Sequence, residues 1–535
     1  MKTIPLFLTL TALPLTSVHA QEVHWARGGF IYPSAVDLSV DVTGDGLADA
    51  IIGDKAYSRV VIYSGTGGTI VHNLIGDLSE HIGTQVVGVP DLNGDGFDEF
   101  GFCGDAGGLH LHDGQTGAEL YAVDSWGVET RLESIGDVNG DGYGDVATSY
   151  PTITGGQVWV HSGRYIVNRT QPEFLWVKHG LLNGRFGQAI ASIGDVDGDG
   201  FNDIAVGAPL EEGVVGLYAF KGQIHCLSGA TGDTIWTKGF VSTERTYFGN
   251  SLAAAGDING DGVGDVLVGA PGNDSGGVDA GAVFVLNGVN GWYLEQLYHS
   301  VPHDNLGTDV ASAGDIDGDG IPDHLLGAGG STTNVARARL YSGASMSLLA
   351  TIDGAGLGRL GTMSGGVDAT GDGVADFLLS SPGGAGPKVE LWRGPCEGGH
   401  AAFCTSIPNS SGMAATLDVS GSHSISSDNL TLEARRCPPG KSGVFFFGTH
   451  SLQEPFGDGF RCAGGSVARL RPIVTTDGTG TARLSLDFSA FPVGQGPMMI
   501  EPGDVRYFQY WFRDPMGPSG SGYNLTNGQR VTFCH

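Results

Sequence analysis

The chain has 535 residues, 92 of them glycine, and only 16% are charged. Acids outnumber bases 58 to 27, a formal charge of −31, so a nucleic-acid backbone is repelled and docking on anionic lipid is disfavoured. Hydrophobic residues at 40% suffice for cores. The length, together with a glycine-rich, helix-poor composition, points to an all-β chain of more than one domain.

At the N-terminus, Lys2, the apolar run Ile4 to Leu15 and the small-residue site Val18-His19-Ala20 read as an export signal over residues 1–20. The run is shorter than the ~20 residues that span a bilayer. No later stretch is long and apolar enough to do so. The mature chain is therefore expected to be secreted or at the cell surface, without a transmembrane segment.

Seven copies of Asp-x-(Asp/Asn/Thr)-Gly-Asp-Gly-x-x-(Asp/Glu) follow, spaced by 50, 46, 58, 62, 58 and 53 residues. Each lies between strand-like segments, as Ala191-Ser192-Ile193 precedes the fourth loop and Ile204 to Pro209 leaves it. A third apolar stretch such as Ala282 to Leu286, a glycine-rich turn and a fourth strand complete the unit. Four strands per ~50 residues is the unit of a propeller blade.

Oxygens at loop positions 1, 3, 5 and 9, with the backbone carbonyl of position 7, can wrap a hard cation. The candidate ligands of the first loop are Asp41, Thr43, Asp45, Leu47 and Asp49. The second offers Asp91, Asn93, Asp95, Phe97 and Glu99, and the third Asp137, Asn139, Asp141, Tyr143 and Asp145. The fourth has Asp195, Asp197, Asp199, Phe201 and Asp203, and the fifth Asp257, Asn259, Asp261, Val263 and Asp265. The sixth supplies Asp315, Asp317, Asp319, Ile321 and Asp323, and the seventh Asp368, Thr370, Asp372, Val374 and Asp376. Crowded carboxylates repel one another unless a cation neutralises them. Calcium suits an all-oxygen cage better than magnesium, and zinc wants His or Cys, which the loops lack. Up to seven calcium ions are expected. An EF-hand is excluded, because position 12 carries no acid in any copy and the flanking residues are β-formers.

Phe186-Gly187, Asp195 to Asp203 and Gly207-Ala208-Pro209 stand in order, and Phe248-Gly249, Asp257 to Asp265 and Gly269-Ala270-Pro271 repeat them. On these residues the chain from about 22 to 395 resembles the FG-GAP, integrin-α-type β-propeller, in a bacterial secreted form. The other copies keep the acidic loop but lose Phe-Gly or Gly-Ala-Pro. The resemblance implies seven blades, with calcium loops joining first and second strands on one face and ligands bound on the opposite face. The seventh copy has only three strands before Pro395-Cys396, and Val23 to Arg27 is strand-like with no other blade to join. That segment is expected to close blade seven as its outer strand.

A composition shift near 394–400 marks a boundary, giving a propeller over 21–395 and a small β-sandwich over 396–535. Six to eight short strands are expected in the latter, around Ala414, Leu430, Gly443, Ala482, Val505 and Arg530. It is similar to a C-terminal module of secreted bacterial proteins. Five cysteines (Cys396, Cys404, Cys437, Cys462 and Cys534) suggest two disulfides and one thiol of unknown pairing. Cys103 and Cys226 read as buried thiols.

No catalytic motif is legible. His110 and His112 alternate on one strand face, as a metal pair would, but no third ligand is identifiable and packed or solvated histidines are the expected reading. The link Leu210 to Phe220 in blade four is either an apolar contact loop or an extended strand. The function expected is adhesion or ligand binding at a surface, with a protein or glycan partner. A polysaccharide lyase or hydrolase on a propeller scaffold, and a purely structural envelope protein, stand as alternatives.

Overall fold

The computed structural model describes residues 23–533 except 31, 105–107, 124–129, 170–172, 216–217, 243, 318, 330–336, 354–360, 372–373, 382–386, 393–399, 422, 424, 426–429 and 501–503. The expected signal, Asp372, Cys396, Cys534 and most of the expected boundary lie outside these residues. The chain forms two compact units, residues 1–367 with 376–395, and 368–375 with 396–535.

The first unit is a β-propeller. Among the described residues it holds seven four-stranded antiparallel sheets. Its first strands are Pro33–Val40, Gln85–Val89, Arg131–Gly136, Ile190–Gly194, Ser251–Gly256, Leu306–Gly314 and Met363–Val367. Each packs beside the first strand of the next sheet, and Met363–Val367 packs against Pro33–Val40. In the seventh sheet Val23–Arg27 pairs antiparallel with Lys388–Trp392, so the outer strand comes from the start of the chain. A short helix, Gly163–Asn168, capped by Ser162, interrupts the third blade between its third and fourth strands. It was not expected from the sequence.

The second strands read as continuous apolar runs because both their faces are covered, as in Asp265–Ala270, buried throughout. The blade interfaces also explain the repeated glycines. A Cβ on Gly207 would collide with the carbonyl of Gly249, and one on Gly269 with that of Gly307. Gly249 and Gly307 themselves hold φ of +88° and +86°, which only glycine adopts without strain. Phe248, fully buried, packs on Phe284 with ring centroids 5.4 Å apart.

A second device recurs at the outer strands. Trp176 Nε1–H donates to the Gly229 carbonyl and Trp236 Nε1–H to that of Gly288, both at 2.6 Å, each reaching a turn of the following blade. Trp25 in the N-terminal strand does the same to Gly65 of the first blade at 3.0 Å. His72 fills the position in the first blade, its Nε2 lying 2.6 Å from the Gly114 carbonyl. A carbonyl only accepts, so His72 carries a proton there.

The link in blade four is an extended hairpin. Asp203–Val215 and Tyr218–Leu227 pair out to Val215 and Tyr218, with an irregularity between Ala208 and Glu212. Cys103 and Cys226 are buried thiols.

The second unit is a two-sheet sandwich of ten strands among the described residues, more than the six to eight expected. The extra strands include Gly459–Arg469, which forms a long hairpin with Ser442–Phe456. Leu417 and Leu432 of the three-stranded sheet meet Phe445, Phe447, Phe508, Tyr510 and Phe512 of the seven-stranded sheet in one core. Cys404 and Cys462 are disulfide-bonded, and Cys437 is a buried thiol.

Candidate functional site

Each acidic loop joins the first strand of its sheet to the second, so the described loops leave the same end of the propeller. Position 9 opens the second strand, and its acid is wholly buried in all seven sheets: Asp49, Glu99, Asp145, Asp203, Asp265, Asp323 and Asp376. Two amides hold this carboxylate in most loops. In the fourth, Asp203 accepts the N–H of Val196 at 2.9 Å and that of Gly229 at 3.0 Å. The fifth repeats this with Ile258 and Gly288, and the sixth with Ile316 and Gly343. Burial outweighs these bonds and raises the carboxyls, to about 6 for Asp49, Asp203, Asp265 and Asp323, about 7 for Asp145 and about 8 for Glu99.

Position 1 organises the turn. Asp195 accepts the amides of Gly198, Asp199 and Gly200, and Asp41, Asp91, Asp137 and Asp257 do the same in their loops. Gly320 donates to Asp315, and Gly371 to Asp368. Position 5 accepts the amide of position 7: Asp45 from Leu47, Asp95 from Phe97, Asp141 from Tyr143, Asp199 from Phe201, Asp261 from Val263 and Asp319 from Ile321. The carboxylates therefore converge on one small volume. Ligand atoms lie within 4.8 Å of one another for Asp91, Asp95 and Glu99, for Asp195, Asp197 and Asp199, and for Asp315, Asp317 and Asp323. The donor set is all oxygen, which fits a hard divalent cation.

Position 3 divides the loops. Asn93, Asn139 and Asn259 turn their amide nitrogens onto the position-9 acids, at 2.6 Å in the case of Asn93 and Glu99. The amide thus covers part of the buried charge. The side chains of Asp197 and Asp317 cannot donate, so each adds a carboxylate charge near the buried acid, which accepts from them only a backbone amide, at 3.3 and 3.0 Å. Thr43 donates to Asp41 at 3.3 Å, and Thr370 gives its backbone amide to Asp368. The strand 3–4 turns also reach the loops, through Asp113 to Asn93, Asn287 to Asp261 and Ser342 to Asp317. Each stands just before the glycine of the recurring turn, as Asp113-Gly114, Asn287-Gly288 and Ser342-Gly343, so the repeat itself marks the position.

A model of the FG-GAP repeat matches residues 133–161, 186–218 and 248–286, in blades three, four and five. The chain carries FG-GAP repeats. It is 35% identical over 214 residues to integrin alpha-PS2 of Drosophila melanogaster, covering 36% of this chain and 14% of that protein. It is 29% identical over 251 residues to integrin alpha-5 of Xenopus laevis, covering 46% and 20%. Integrin alpha-11 of Homo sapiens is 31% identical over 176 residues, 31% of this chain and 14% of the relative. The chain thus matches a fifth or less of each of these relatives. Blades one, two, six and seven, outside the matched residues, fold into the same four-stranded sheets.

The face opposite the loops is built from the strand 2–3 and 4–1 links. It carries Tyr57, Leu78, Ile153, Leu181, Leu182, Tyr247, Val278 and Val301, all exposed, with Leu182 at 73% and Leu181 at 62%. Leu181, Leu182 and Ile153 are held together by the Asn183 amide, which donates to the Ile153 carbonyl at 2.7 Å. Behind this face the first strands enclose a central cavity of about 740 Å³ containing Asp37, Glu133, Asp309 and Arg131. Each of these carboxylates accepts an amide of the next blade, from Gly88, Ser192 and Met363 respectively.

His110 and His112 are not solitary. The strand Glu119–Val123 brings Glu119 beside them, and ligand atoms of all three lie within 4.8 Å of one another. The sequence hid this because Glu119 arrives by cross-strand register.

Proposed function

We propose that the chain is an exported, calcium-loaded FG-GAP propeller that binds a protein partner on the face opposite its acidic loops. An export signal at 1–20, a propeller over 21–395 and a sandwich over 396–535 belong to this reading. The carrying observation is the asymmetry of the two ends. One end gathers the acidic loops, and the other presents leucine, isoleucine, valine and tyrosine on short links held by a rigid scaffold. Exposed apolar residues grouped on such links are what a protein interface uses. The likeness to integrin alpha chains supports the same reading. Calcium in up to seven loops would fix the links indirectly, by neutralising the buried acids that open the second strands. The carboxylates of the central cavity hold neighbouring blades together, which supports binding over catalysis.

The test is a panel of immobilised purified extracellular proteins and a glycan array, each probed with the full chain in calcium and in EDTA. Calcium-dependent capture by a protein, weakened at least tenfold in a Leu181→Asp/Leu182→Asp variant of unchanged melting temperature, is the expected result. Capture by glycans alone, or equal protein capture by the variant, overturns the reading.

A further inference from the structure

The second blade holds a donor set unlike that of the acidic loops. His110 and His112 lie on Leu109–His112 and stack on the neighbouring strand, with His110 over Phe102 at 5.3 Å and His112 between Phe100 and Phe102 at 5.5 and 5.1 Å. These rings fix both imidazole planes. On the other side Glu119 is the register partner of His112, and the register shifts between Leu111 and His112. Glu119 Oε2 consequently lies 3.2 Å from His110 Nδ1.

The proton position on His112 follows from its partner. Its Nδ1 is 3.0 Å from the Gly117 carbonyl oxygen, which can only accept, so Nδ1 carries the hydrogen. Nε2 is left as a bare lone pair. His112 is 7% exposed, and this buried Nε2 has no hydrogen-bond partner. Leaving such an atom unsatisfied is unfavourable. A ring whose far N–H is anchored on a backbone carbonyl, with the other nitrogen free, is the arrangement of a metal-ligating histidine.

We propose that His110, His112 and Glu119 bind one divalent transition-metal ion of the zinc class. Two imidazoles and one carboxylate suit zinc, whereas calcium takes oxygen ligands. Three protein ligands leave a fourth position, and the partial exposure of His110 and Glu119, 22% and 50% by side chain, admits water to it. His72, stacked over Phe100 at 5.7 Å, has its Nε2–H committed to Gly114 and stands outside the set. The ion would join the third and fourth strands of the blade at their irregular pair. This site is independent of the calcium reading, since it shares no residue with the loops.

The experiment titrates the full chain, in saturating calcium, with zinc by calorimetry and with cobalt by visible absorption. One zinc per chain and the absorption of tetrahedral cobalt are expected. His110→Ala and Glu119→Gln, at partly exposed positions, should each lower zinc affinity at least tenfold without moving the metal-free melting temperature. His303→Ala, at an exposed histidine paired with Asp279, should leave zinc binding intact. No stoichiometric zinc site in the native chain, or affinity unchanged in either blade-two variant, overturns the proposal. Should either variant fail to fold, zinc must still raise the melting temperature of the native chain, and no rise also overturns it.

Discussion

The two units stabilise themselves by different means. In the propeller every second strand opens on a wholly buried acid, and apolar burial is divided among separate clusters between neighbouring sheets. The sandwich gathers one core around Phe445, Phe447, Phe508, Tyr510, Phe512 and Phe533 and adds the Cys404–Cys462 bridge. Buried charge needs a counter-charge from somewhere, whereas apolar burial and a covalent link need no bound ion. The propeller should therefore respond to ions and pH, and the sandwich to truncation and reduction. Calorimetry of the full chain, with the two transitions assigned by variants, can separate them.

The largest expected effect is chelation. Saturated sites each add about 3 kcal/mol at a hundredfold excess over Kd, so EDTA should lower the propeller transition by far more than the sandwich transition. Calcium should restore it and magnesium should not. Equal shifts of both transitions would erase the contrast. Next, Phe445→Ala should cost the sandwich about 3–5 kcal/mol and leave the propeller transition in place. Reduction, or Cys404→Ser, removes a link between residues 58 apart and should cost the same unit about 2–4 kcal/mol. A sandwich insensitive to reductant would place its stability in the core alone.

Within the propeller the contrast sharpens between loops. Asp197→Asn should let the fourth loop copy the Asn139 arrangement, with the amide donating to the buried acid. Its calcium affinity should fall about tenfold, roughly 1.4 kcal/mol, in a titration read by calorimetry. If Thr43→Ala instead weakens the tightest phase and Asp197→Asn does not, charge count does not rank the loops. The smallest effect concerns Asp309 in the central cavity, which burial raises from 3.8 to about 7. A raised carboxyl binds its proton more tightly in the folded state, so its contribution is complete below the unfolded pKa near 4 and is lost as pH rises to about 7. Asp309→Asn should flatten the propeller melting temperature across that window by roughly 2 °C. An unchanged profile would show that the cavity solvates this carboxylate.

Blades four and five were legible because their glycines answer to contacts with no room for a Cβ, so Phe-Gly and Gly-Ala-Pro survive as letters. The acidic loops were legible in every blade because position 1 must accept amides from a turn that only Gly-Asp-Gly makes readily. The aromatic latches were not, since Trp25, His72, Trp176 and Trp236 do one task with two residue types and no shared neighbours. Glu119 was invisible for a related reason, because a register irregularity carries it to His110. In the sandwich the strands of the core showed as alternating runs. The hairpin around Gly457 is not legible, because proline and glycine, here Pro455, Gly457 and Gly459, are disfavoured within strands.

The N-terminal strand sets the order of events during synthesis. Six blades are contiguous in sequence, and each can form once its own ~50 residues have emerged. Val23–Arg27 must wait for Lys388–Trp392, roughly 365 residues later, which at ribosomal speed is on the order of 20–70 s. Throughout that interval the strand that will carry Trp25 to Gly65 is an unpaired edge. The last blade is thus the step at which a nascent chain is open to chaperones or to a second copy, and ring closure is the event that ends its vulnerability.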